Sequence, residues 1–114
     1  MDINEKIAAF DPNGMGDTNG TIYGLPFDAD TANLVILPVP WEVTVSYQAG
    51  TASAPEAILE ASYQVDLFDP FVKDAWKLGL AMKDIDLDLA AKSDTLRQKA
   101  EHYINQLAAG SSIE

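Results

Sequence analysis

Residues 33–39 read Asn-Leu-Val-Ile-Leu-Pro-Val, an unbroken apolar run closed by prolines at 38 and 40. An amphipathic strand would alternate polar and apolar residues, so a short continuous apolar run suits a strand covered on both faces, as in a parallel sheet flanked by helices. Pro38 and Pro40 have no N–H to give to a ladder, which predicts a strand ending near Leu37. Residues 41–50 then form a loop at the carboxyl end of that strand, the place where open α/β sheets bind ligands.

The elements that follow fit the same class. Ser53-Ala-Pro-Glu predicts a helix start, with Ser53 as cap, Pro55 in the first turn and Glu56 three residues past the cap. Ala57, Ile58, Ala61 and Val65 form its expected buried stripe, and the turn at residues 66–70 ends it. A second strand is expected within residues 76–85, around Leu78-Gly-Leu-Ala-Met. A second helix is expected over residues 93–109, capped by Ser93, carrying Leu96, Ala100, Tyr103, Ile104 and Leu107 at helical spacing, and stopped at Gly110. Upstream, residues 11–21 are dense in turn formers, and Tyr23-Gly-Leu-Pro-Phe is placed to tack that loop onto the body. The expected organisation is an irregular extension over residues 1–32 and a β-α-β-α unit over 33–114. Its connection has the order of a right-handed crossover. Two parallel strands rarely stand alone, so the reading is of an α/β fold still incomplete at Glu114, with truncation or proteolysis as the expected cause.

Composition narrows the function. Seven basic residues against eighteen acidic ones give a net charge of −11, which opposes binding to nucleic acid or anionic membrane. It leaves room for a cationic substrate or a divalent ion, although acidity alone also serves solubility. With no cysteine there is no disulfide, thiolate site or cysteine nucleophile. The first ten residues lack the pattern of a signal peptide, no run reaches the ~20 apolar residues of a membrane span, and a cytoplasmic protein is expected.

Three sets of residues invite a chemical reading. Asp84, Asp86 and Asp88 alternate, so an extended segment would turn all three carboxylates to one face, as a hard cation requires. Alternation at a strand end, with Ile85, Leu87 and Leu89 facing inward, explains the pattern without any ion. Asp66 and Asp69 flank a turn ending in Pro70, where an ordinary helix exit is the competing account. His102, the single histidine, sits in the second helix beside Glu101 without partners for hydrolytic chemistry. The turn at Gly50 lacks the glycines and lysine of a phosphate loop, and Trp41, Tyr47 and Trp76 could line a pocket or cover other chain.

The run from Leu34 to Pro70 resembles the amino-terminal segment of the ureohydrolases, the arginase and agmatinase family. Val39 and Pro40 match a strand ending in Gly-Val-Pro. Gly50 and Thr51 match the following turn, and Pro55, Ile58, Ala61 and Ser62 match the first helix. Pro38, Ala52, Ala54 and Leu59 depart from the family pattern and leave the substrate open. The upstream Tyr23-Gly-Leu-Pro-Phe-Asp is similar to an agmatinase-like subgroup. The resemblance implies a three-layer α/β/α fold with a parallel sheet, and a binuclear Mn2+ centre activating a bridging water that attacks a guanidinium carbon to release urea and an amine. It places the metal ligands in Gly-Gly-Asp-His-Ser, Asp-Ala-His-x-Asp and Ser-x-Asp-x-Asp-x-x-Asp-Pro motifs downstream of this region. Residues 62–70 imitate the last of these, with Gln64 in place of its first aspartate, but follow the first helix, so Asp66 and Asp69 are not read as ligands.

On this reading the chain itself holds no catalytic or metal-ligating residue. It lends Trp41, Glu42, Thr44, Tyr47 and Gly50 to the wall of a cleft for a small guanidino substrate. Its expected partners are the remainder of the parent chain and further copies of itself. The competing expectation is a stand-alone interaction module.

Overall fold

A computed structural model of the chain describes residues 2–14 and 20–110. Part of the loop expected over residues 11–21, at 15–19, lies outside them. The described residues fall into two compact units, one drawn from Met1–Pro38 and Glu56–Asp84, the other from Val39–Pro55 and Ile85–Glu114.

The first unit opens with a helix where an irregular extension was expected. In α1, Ile3–Ala9, Asp2 and Glu5 form a reciprocal capping box: Asp2 Oδ1 accepts from the Glu5 amide at 2.9 Å, and Glu5 Oε2 accepts from the Asp2 amide at 3.2 Å. Seven residues are too few for a helix to be stable alone, and packing supplies the rest. Ile3, Ile7 and Phe10 share one face and pack on a core of Leu25, Phe27 and Trp76, with the Phe10 and Trp76 rings tilted at 50° and 4.7 Å between centroids.

The Tyr23-Gly-Leu-Pro-Phe segment buries Leu25 and Phe27, and a 3-10 turn at Ile22–Gly24 precedes them. That turn is tied to the end of the first long helix. The Tyr23 amide donates to the buried Ser62 hydroxyl at 2.9 Å, and the hydroxyl in turn donates to the Leu59 carbonyl at 2.6 Å.

Two parallel strands follow as expected but shorter. β1, Leu34–Ile36, pairs with β2, Leu80–Met82, in the register Leu34 with Leu80 through Ile36 with Met82. The ladder is extended at one end by the Asn33 and Leu34 amides, which donate to the Gly79 carbonyl at 2.9 and 3.0 Å, and at the other by Lys83 donating to Ile36 at 3.0 Å. Gly79 turns the chain into β2 with φ +83, where a Cβ would come within 3.2 Å of the Phe27 ring and 3.3 Å of the Asn33 nitrogen. The apolar run predicted a strand covered on both faces. In the described residues β1 stays largely open, with Leu34 52% and the following Leu37 69% exposed.

α2, Ala54–Ser62, begins at the predicted place but buries a different face. Ile58 is 57% exposed and Ala57, Ala61 and Val65 are exposed too, whereas Ser62 is buried and Leu59 half-buried. Among the described residues the apolar stripe stays exposed, and the side of the helix end that carries Ser62 is the one that packs.

The second unit is built on α3, Leu87–Ala108, which starts six residues earlier than the expected 93. Asp86 is its cap, accepting from the Leu89 amide at 2.9 Å, and Asp88 sits in the first turn, where the helix dipole favours a carboxylate. A strand reaching Ile85 with inward Leu87 is therefore corrected: Leu87 is exposed in the first turn of a helix. Ser93, the expected cap, is instead a fully buried residue inside α3. Leu96, Arg97 and Ala100 continue its face half-buried, while Tyr103, Ile104 and Leu107 of the expected stripe are exposed.

Candidate functional site

Within the second unit, residues 41–52 make a loop whose ends are joined by one carboxylate. Glu42 Oε2 accepts from the Gly50 amide at 2.6 Å and from the Ala52 amide at 3.2 Å. Glu42 thus accepts across the loop from two amides that precede α2, and the expected cap Ser53 lies inside a 3-10 turn. That turn, Thr51–Ser53, has no side-chain cap of its own. Gly50 permits the closure because its φ of +133 is a conformation that a side chain would strain.

α3 grips the same loop from outside. The Glu42 amide donates to the buried Ser93 hydroxyl at 2.9 Å. One guanidinium nitrogen of Arg97 donates to the Val43 carbonyl at 3.2 Å and to the Val45 carbonyl at 3.0 Å, while its Nε is paired with Glu101 at 3.1 Å. The amides of Gly50 and Ala52 hold the Glu42 carboxyl below its ordinary pKa, and the charge of Arg97 adds to the effect.

Of the five residues expected to line a cleft, Glu42 and Gly50 are brought into contact as parts of this closure. Thr44 and Tyr47 project from the loop, Tyr47 at 97% exposure, and Trp41 is about one-third exposed. Ser93 and Arg97 belong to the same assembly although sequence reasoning assigned them no such role. A serine inside an amphipathic stretch and an arginine four residues before a glutamate were their only signals, and both are common on ordinary helices.

The acidic candidates are occupied by local structure. Asp66 Oδ1 accepts from the Phe68 amide at 2.9 Å, and Asp69 Oδ1 accepts from Phe71 and Val72 at 2.7 and 3.0 Å, both as turn formers. Asp86 caps α3 and Asp88 lies within it, so the alternating face of Asp84, Asp86 and Asp88 does not exist. His102 is exposed on α3. Among the described residues no three His, Cys, Asp or Glu side chains converge as a metal site would require, and the manganese centre implied by the resemblance finds no ligand set here. No described helix is long and apolar enough to cross a membrane.

Parallel strands joined through a helix, with a built loop after the first strand, define an α/β protein. The profile of the Arginase family matches residues 32–113, and the chain belongs to that family. Among curated proteins, N(1)-aminopropylagmatine ureohydrolase of Synechocystis sp. is 49% identical over 41 residues, a stretch that is 36% of this chain and 13% of that protein. The matched region is thus a small part of the relative's length. No solved structure matches the chain.

Proposed function

We propose that this chain is the amino-terminal part of a manganese-dependent ureohydrolase that hydrolyses an agmatine-like guanidino compound to urea and an amine. In this reading the chain is non-catalytic by itself, and Trp41, Glu42, Thr44, Tyr47 and Gly50 belong to the substrate-cleft wall. The observation that carries it is the 49% identical stretch shared with a protein named as an aminopropylagmatine ureohydrolase, within a family match over residues 32–113. The closed loop after β1 supports it, since a cleft wall in an α/β enzyme is built at that end of the strand. The reading includes a three-layer fold completed by further chain, assembly with other copies, and metal ligands supplied from outside this segment. No catalytic step is assigned to the residues described here.

The test is direct. The reading frame beyond Glu114 is sequenced, and the full-length product is assayed with Mn2+ for urea release from agmatine, N-aminopropylagmatine and arginine. Urea from at least one of them is expected. A reading frame that closes at Glu114, with no urea released, would sink the proposal and leave a stand-alone interaction module.

A further inference from the structure

We propose that Glu42 is a positioning residue, whose carboxylate, together with Ser93 and Arg97, fixes residues 43–49 as a preformed surface for the guanidino substrate. The inference rests on the cleft-wall reading above and adds to it the device that holds the wall in shape.

Every grip on the loop is made to its backbone. The Gly50 and Ala52 amides reach Glu42, the Glu42 amide reaches Ser93, and the Val43 and Val45 carbonyls reach Arg97. Among the described residues, no side chain of Thr44, Ser46, Tyr47 or Gln48 makes a hydrogen bond. The loop's shape is therefore set from its base by Glu42, Ser93 and Arg97, and its outward side chains are left unengaged. A loop fixed before binding spares the ligand the entropy of ordering it, and an exposed tyrosine ring is a surface on which a planar cation can rest. Glu42 itself is spent on the two amides, so it acts through the loop and not by contact with substrate.

Two variants separate this from general stability. Glu42→Met keeps the length of the side chain and removes the acceptor, whereas Glu42→Gln keeps an acceptor oxygen and removes the charge. In the 114-residue chain, hydrogen exchange of amides 43–52 should quicken at least about tenfold in E42M, with the amides of α3 beyond Ala100 little changed, and E42Q should recover most of the protection. In the full-length hydrolase, E42M should raise KM about tenfold or more while kcat changes less than about threefold, again with rescue by E42Q. Unchanged loop exchange in E42M overturns the proposal whatever the enzyme does. A loosened loop with unchanged KM in an active enzyme overturns the positioning role and spares the hydrolase reading. A wild-type protein that releases no urea overturns the substrate role together with the reading it rests on, and the exchange result then speaks for the loop alone. If E42M fails to fold, Ser93→Ala replaces it in both measurements, with the same outcomes deciding.

Discussion

Ser93 has no solvent to fall back on, and its hydroxyl is the partner of the Glu42 amide. Ser93→Ala fits the space but leaves that N–H unpaired, a change that costs about 1–3 kcal/mol. Chemical denaturation of wild type and variant should show a lower midpoint with an unchanged slope. Glu42 adds a pH signature of definite sign. Its carboxyl is held low by the Gly50 and Ala52 amides, so its contribution is complete above the unfolded value of about 4.3. That contribution disappears as pH falls through the lower folded value. Asp28, held low first by the Thr31 hydroxyl, loses stability in the same direction, so the wild type alone cannot isolate Glu42. The stability gap between wild type and Glu42→Gln should be widest near neutrality and shrink below about pH 4.3. A gap that stays constant from pH 7 to pH 3 would contradict the assignment.

At the level of elements, α3 depends on the residue that starts it. Asp86→Ala removes the cap at Leu89 and should cost about 1 kcal/mol, whereas Asp86→Asn should cost only a fraction of that. Helicity followed through thermal unfolding distinguishes the two. The same cap shows where sequence was legible and where it was not. The strands around Leu34 and Leu80 and the helix after residue 53 follow from local pattern: an apolar run, two prolines and a Pro-Glu opening. Asp86 was misread because Asp-Ile-Asp-Leu-Asp satisfies both a period of two and a helix start, and only tertiary context selects one. Ser53 and Ser93 were misread for a related reason. Each is a good cap by type, but the first is taken into the 3-10 turn ahead of α2, and α3 begins six residues ahead of the second. α1 was legible in principle from Asp2, Glu5 and the Ile3, Ile7, Phe10 spacing, yet a helix so short exists because of the core it meets. For the candidate site, the loop's position was readable from the strand before it. The Glu42 closure and the Arg97 grip join residues more than fifty positions apart or across a loop, which no local pattern encodes.

For the molecule as a whole, β1 leaves an open face and an open edge among the described residues. Leu34, Val35, Ile36 and Leu37 are all exposed beside a ladder paired on one side only, and such an edge recruits further strands. The 114-residue chain should therefore self-associate as its concentration rises, and Leu37→Lys should suppress this in sedimentation equilibrium. A monomer at all concentrations would show that the edge is protected. The loop carries a different consequence. Since α3 and Glu42 hold it through main-chain groups alone, Thr44, Ser46, Tyr47 and Gln48 can be exchanged without dismantling its shape. On the proposed cleft-wall reading, mutation can then explore new recognition chemistry on a fixed frame, a route to new substrates that does not pass through unfolded intermediates.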